Sequence, residues 1–249
     1  MLTLKSHKTL SVLAACILPA AIYSLAVPVP VFRYIVPLFV CLVVIIEGLS
    51  WTTLTGAADG KRWSLLRSSL FYIAWLCLFF LMPTQNLQMA YMILSVPILY
   101  LGEQLIAYTG ETVLVTHTIL TSFGILLAAA AGEFYFHAGS VVLTLVVFVC
   151  LFLLTRATYV FVPQTSTIRL ASSLLVAFLA TEVYASVLFL PFHYTVLGFC
   201  AFLVFYVLWL FTYYWQFGAL TPQRVKLYLL VSAALLTALL LATPWQIMT

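Results

Sequence analysis

The residues able to do chemistry in this chain are few, and each stands against an apolar background. Glu182 lies twelve residues after Leu170, in the run 170–190 that holds no other charge. A carboxyl there must be protonated, paired or facing a watery cavity, because a bare charge in hydrocarbon is costly. Proton coupling is its functional reading and a hydrogen bond between helices its structural one. Pro97 sits in another apolar run and is followed by Gly102, Glu103 and Gln104. Proline removes a backbone donor and clashes with the carbonyl four residues earlier. An acid and an amide beside such a break point to a midmembrane binding site; the alternative is a packing kink with Glu103 near the inner interface.

His117, Thr121 and Gly124 recur at i, i+4 and i+7 on one helical face, flanked by Thr118 and Ser122. Glu103 lies seven residues before Gly110 and His117 seven after it. A hairpin about Gly110 would set both roughly 10 Å from the turn, so a Glu103–His117 contact is expected if their faces meet. It would be either a site or an interhelical hydrogen bond worth about 0.6 kcal/mol. Glu47 precedes Gly48 and Trp51 at the inner end of a further run, where it joins this cluster or snorkels to the interface. Glu133 and His137 share i, i+4 spacing in an expected external loop. Two ligands make no zinc site. Glu111, beside Gly110, reads as a first-turn acid.

Membrane helices must position these groups. Of the 249 residues, 65% are hydrophobic and 6% charged, and mean hydropathy is +1.20. Breaks in hydropathy predict spans over 10–27, 34–52, 65–82, 88–108, 113–131, 140–158, 170–190, 195–215 and 227–245. Each approaches the ~20 residues that a bilayer-crossing helix requires. Lipid offers the backbone no partners, and the alternating period of a barrel is absent, so helices remain. Most connections are as short as Thr109–Thr112 and Pro191–Tyr194, which makes sequential helices antiparallel neighbours. The expected fold is all-α, a polytopic transmembrane helical bundle of about nine spans in one domain, residues 1–249.

The basic residues set the orientation. With the N-terminus inside, Lys5, Lys8, Lys61, Arg62, Arg67, Arg156, Arg169, Arg224 and Lys226 fall inside, and only Arg33 outside. That N-in/C-out arrangement satisfies the positive-inside rule. Trp51, Trp63, Tyr159, Tyr213, Tyr214 and Trp215 mark inner ends, Tyr34 and Trp245 outer ends. The net charge of +4 therefore speaks of orientation rather than of nucleic acid. A shift of 161 residues pairs Ser11 with Ser172, Tyr23 with Tyr184, Pro30 with Pro191 and Pro83 with Pro244. The shift lays residues 10–83 over 170–245 as a weak repeat of the kind transporters carry, or as coincidence in a Leu-rich chain.

Lys5 and Lys8 before an apolar run, with Leu13-Ala14-Ala15-Cys16 close behind, resemble a processed leader. The box comes too soon after Lys8, and an uncleaved first span is expected. The five cysteines lie singly in separate apolar runs and read as small buried hydrophobes, without disulfide or metal pairing. HExxH, GxSxG, Walker and GxGxxG patterns are absent, and no loop is long enough to hold a cofactor. No cofactor is expected, and a conventional enzyme is disfavoured.

Leu190-Pro191-Phe192, the run Leu220-Thr221-Pro222-Gln223-Arg224-Val225-Lys226-Leu227-Tyr228-Leu229-Leu230 and Thr243-Pro244-Trp245 close the chain. This last quarter resembles the end of a family of small multi-pass membrane proteins of bacteria with reduced genomes, a domain of unknown function. The resemblance implies a bacterial cytoplasmic membrane and carries no catalytic residue over. Three functional classes remain: a carrier for a small solute or lipid, a non-catalytic scaffold or assembly subunit, and a lipid-active intramembrane enzyme. The polar groups available to any of them are Glu182, Glu103, His117, Gln104 and Glu47. Expected partners are membrane lipids and other membrane subunits.

Overall fold

The computed structural model describes residues 41–49, 58–82, 84–106, 111–136 and 139–243, with isolated positions 12, 15–17, 19 and 51. Every regular element among them is an α-helix. Seven follow in order: α1 Ala58–Phe80, α2 Gln85–Ile106, α3 Glu111–Phe136, α4 Ser140–Tyr159, α5 Ser166–Val187, α6 Tyr194–Gln216 and α7 Pro222–Ala242. Residues 41–49 form a further helical stretch. Five of these helices, α3 to α7, are long and apolar enough to cross a bilayer, and α2 holds a shorter apolar stretch, Asn86–Tyr100. This is an all-helical membrane protein. Most of the first expected span and about half of the second lie outside the described residues, and with them nearly half of residues 10–83 of the expected repeat.

Local chemistry sets the helix ends. The Thr165 hydroxyl accepts from the Ile168 amide at the start of α5, and the Thr221 hydroxyl accepts from the Arg224 amide at the start of α7. Pro222 opens α7, where its missing donor costs nothing. Gly218, at φ 65°, ends the turn after α6 in the left-handed region that glycine adopts without strain. Two boundaries differ from expectation. α1 begins at Ala58 rather than near 65, because Lys61 and Arg62 extend a helix past the hydrocarbon edge as readily as apolar residues do. α3 runs on to Phe136, so Glu133 stands in a helix and not in a loop.

The chain divides into two compact units, residues 1–117 and 118–249, with the boundary inside α3. In the first, α1 packs on α2. Its core joins Phe71, Tyr72, Trp75 and Phe79 to Met92 and Leu99, with Val43 and Ile46 from the 41–49 stretch. The Tyr91 hydroxyl donates to the Trp75 carbonyl over 2.9 Å. α2 continues through Pro97 without a break.

In the second unit α4, α5 and α6 pack in sequence and α7 rests on α6. Small residues make this possible: Ala177, Ala180 and Ala201 are fully buried, which lets membrane helices approach closely. Gly198 on α6 abuts the backbone of Leu127 on α3. Cross-helix hydrogen bonds add register. The Tyr159 hydroxyl donates to the Trp209 carbonyl (3.3 Å), Gln164 Nε2 to the Gln216 carbonyl (2.8 Å), and Arg169 Nη1 to the Val160 carbonyl (2.6 Å). Only 6% of the apolar stretch of α7 is buried in the chain, against 33% to 56% for α3 to α6.

Large apolar side chains face outward, with Val141 at 72% and Leu241 at 80% exposure. In water that surface would be a liability, but lipid tails are as apolar as leucine. The same reason corrects the expectation of buried cysteines: Cys16, Cys41 and Cys77 are exposed, and Cys150 and Cys200 only partly covered.

Candidate functional site

In the first unit a polar cluster gathers on α1. Ser64, Arg67 and Ser68 stand at i, i+3 and i+4 and so share one helical face. All three are buried, Arg67 to 1% exposure and Ser68 to 0%. Arg67 Nε and Nη1 and the Ser68 hydroxyl have no hydrogen-bond partner. One turn further on, the Phe71 ring meets the His117 ring at 5.1 Å. His117 is buried and within electrostatic reach of Arg67. Another face of α1 engages Glu47, whose Oε1 accepts from the Ser69 hydroxyl over 3.2 Å. Glu47 is therefore buried and held, rather than reaching for the interface.

Two of the expected site residues, Glu47 and His117, thus contact α1. The α2 backbone carries Glu103 and Gln104, but their side chains, and with them the expected Glu103–His117 contact, lie outside the described residues. By charge alone Arg67 marks only orientation. Its signal was available: an arginine two residues inside an expected span, flanked by Ser64 and Ser68.

In the second unit the polar stripe of α3 is spent on packing. Thr118, Thr121 and Ser122 are buried. The Thr118 and Thr158 hydroxyls share a hydrogen bond of 3.0 Å, and the Ser122 hydroxyl donates to the Ile119 carbonyl.

Glu182 is exposed on α5, away from the side chains packed between the helices. The physical reason is helical phase. Ala180 and Tyr184 are fully buried on the packed face of α5. Glu182 is two positions from each, roughly 200° round the helix. Its neighbours outward are the exposed Leu175, Phe178 and Ser186.

A cavity of about 630 Å³ opens between α5, α6 and α7. Val183 and Val187, Leu203 and Val207, and Leu236 line it from the three helices, with Ser232 as the one hydroxyl in its wall. The Ser232 hydroxyl is buried without a partner. No carboxylate or basic residue lines the cavity. Nothing in the sequence marked it, since an apolar wall and an apolar lipid face are written in the same residues.

A second polar group sits where α3 ends and α6 begins. The rings of Phe134, Tyr135, His193 and Tyr194 pack together, Tyr135 and Tyr194 at 5.2 Å. Near them, Glu133 Oε2 and the Tyr184 hydroxyl are buried without hydrogen-bond partners. His137 lies outside the described residues.

No protein-family model matches the chain, and it matches neither a curated protein nor a solved structure. The first unit offers a donor-rich buried cluster on α1, and the second, separately, an apolar cavity among α5, α6 and α7.

Proposed function

We propose that this membrane protein is a carrier for an apolar, lipid-like molecule, which it binds by its hydrocarbon chain in the cavity between α5, α6 and α7. The observation that supports this reading is the cavity itself. Its volume of about 630 Å³ lies in the range of small-molecule sites. Its wall of aliphatic side chains suits an acyl or isoprenoid chain and suits a hydrophilic solute poorly, since burying polar groups without partners is costly. The Ser232 hydroxyl supplies one fixed point for an ester or hydroxyl oxygen. The same reading places the chain in a bacterial cytoplasmic membrane as about nine spans, N-terminus inside, in accordance with its basic residues.

A photoactivatable, clickable fatty-acyl phospholipid tests it. In membranes it should label the purified protein on α5, α6 or α7, and Val207→Trp, which fills the cavity, should reduce that labelling by at least ten-fold while the protein stays folded. Equal labelling of both forms would remove the cavity from consideration. A scaffold reading has one observation in its favour, the nearly uncovered α7. It would have α7 seated on another membrane subunit, and a stable partner co-purifying through α7 would favour it.

A further inference from the structure

We propose that Arg67, with Ser64, Ser68 and His117 around it, forms a binding site for a phosphate oxyanion at the depth of the inner leaflet's edge. The proposal rests on the first unit alone and is independent of the cavity. Its starting point is a guanidinium at 1% exposure whose Nε and Nη1 have no partner. A buried charge left uncompensated is among the most destabilising arrangements a protein can hold. Some anion must answer it.

The chain itself supplies none that is described. Two carboxylates of this unit have described side chains: Glu47 accepts from Ser69, and Glu111 is exposed. Arg67 forms no ion pair among the described residues. What stands around it is donor chemistry. Ser64 and Ser68 share its helical face, the Ser68 hydroxyl has no partner, and the His117 ring lies beside Phe71 one turn on. A planar fork of N–H groups with hydroxyls alongside matches the several acceptor oxygens of a phosphate better than a lone carboxylate. The position fits as well. Arg67 is six residues, about 9 Å of helix, beyond Lys61, which by its charge belongs at the inner surface. That depth is reached by a lipid headgroup phosphate and by a free phosphate entering from the inner face.

Melting temperature in a phosphate-free maltoside micelle tests the site, with two separate additions. The first is phosphatidic acid in the micelle, with diacylglycerol as its phosphate-free control. The second is inorganic phosphate, with chloride at matched ionic strength as its control. Wild type should rise by about 5 °C or more in at least one arm at an excess of ~100 Kd. A rise with phosphatidic acid alone identifies a lipid phosphate, and a rise with inorganic phosphate identifies a free one. Arg67→Met, which keeps the length and removes the charge, should lose the rise. Where Arg67→Met does not fold, Ser68→Ala keeps the charge and removes one donor, and it should at least halve the rise. The proposal is overturned by a wild type that rises in neither arm. It is equally overturned by an unchanged rise in Arg67→Met or, where that variant does not fold, in Ser68→Ala.

Discussion

Leu127 and Gly198 meet so closely that no side chain fits between them. A methyl group on Gly198 would stand 2.9 Å from the Leu127 Cα and 3.3 Å from the Leu126 carbonyl oxygen. The obstacle is backbone, which cannot swing aside as a side-chain tip can. Gly198→Ala should therefore push α6 from α3 and destabilise the protein by about 1–3 kcal/mol, the usual cost of overpacking. Thermal denaturation in detergent should show a fall of several degrees. An unchanged melting temperature would mean that the two helices are free to separate.

The hydroxyl pair Thr118–Thr158 should behave differently. Thr158 also bonds its own helix at the Leu154 carbonyl, so losing the cross-helix bond leaves it satisfied. A double-mutant cycle with valine at both positions should give a coupling of only about 0.6 kcal/mol, typical of hydrogen bonds between membrane helices. A coupling above ~2 kcal/mol would show that the pair belongs to a larger network.

Glu182 faces outward, so its side chain should contribute little to the fold of α5. Glu182→Leu and Glu182→Gln should both fold, with Leu at least as stable, because Leu matches the exposed Leu175 and Phe178 beside it. Melting curves of the two variants decide this. A Leu variant that is markedly less stable than the Gln variant would mean that a partner or another part of the chain covers the carboxyl. Loss of a transport signal in a Gln variant that still folds would point to titration as its role.

Reporter fusions at Gly60 and at Thr249 should report opposite sides of the membrane. Nine of the ten basic residues fall on one side when the N-terminus is inside, a split the positive-inside rule translates into orientation. Both reporters on the same side would overturn the odd number of spans.

The helices were legible in the sequence because apolar length is a local property. The expected spans 140–158 and 195–215 differ from α4 and α6 by only a residue or so. What local pattern does not determine is which way a helix turns its faces. Against lipid the inside and outside of a helix are equally apolar, so hydropathy gave no clue that Glu182 faces away from Ala180. The enclosure of Arg67 is hidden from the sequence for a related reason. A cation near a span end usually snorkels out, and only the packing of α1 reveals that this one is enclosed. The cavity depends on how three helices splay, which no single segment encodes.

On the carrier function proposed above, the sparse seating of α7 has a consequence for selectivity. Two walls of the cavity, α5 and α6, belong to the closely packed part of the unit, while the third rests mainly on α6, with Tyr228 stacked on Tyr214 at 5.9 Å. A longer hydrocarbon chain can displace such a wall into the surrounding lipid with few contacts to break. A methylene moved from bilayer to protein also gains little, because both are equally apolar. Tail length should thus be read poorly, and a homologous series of acyl chains should compete within a few-fold of one another. Discrimination in the proposed carrier would then come from the polar end of its ligand.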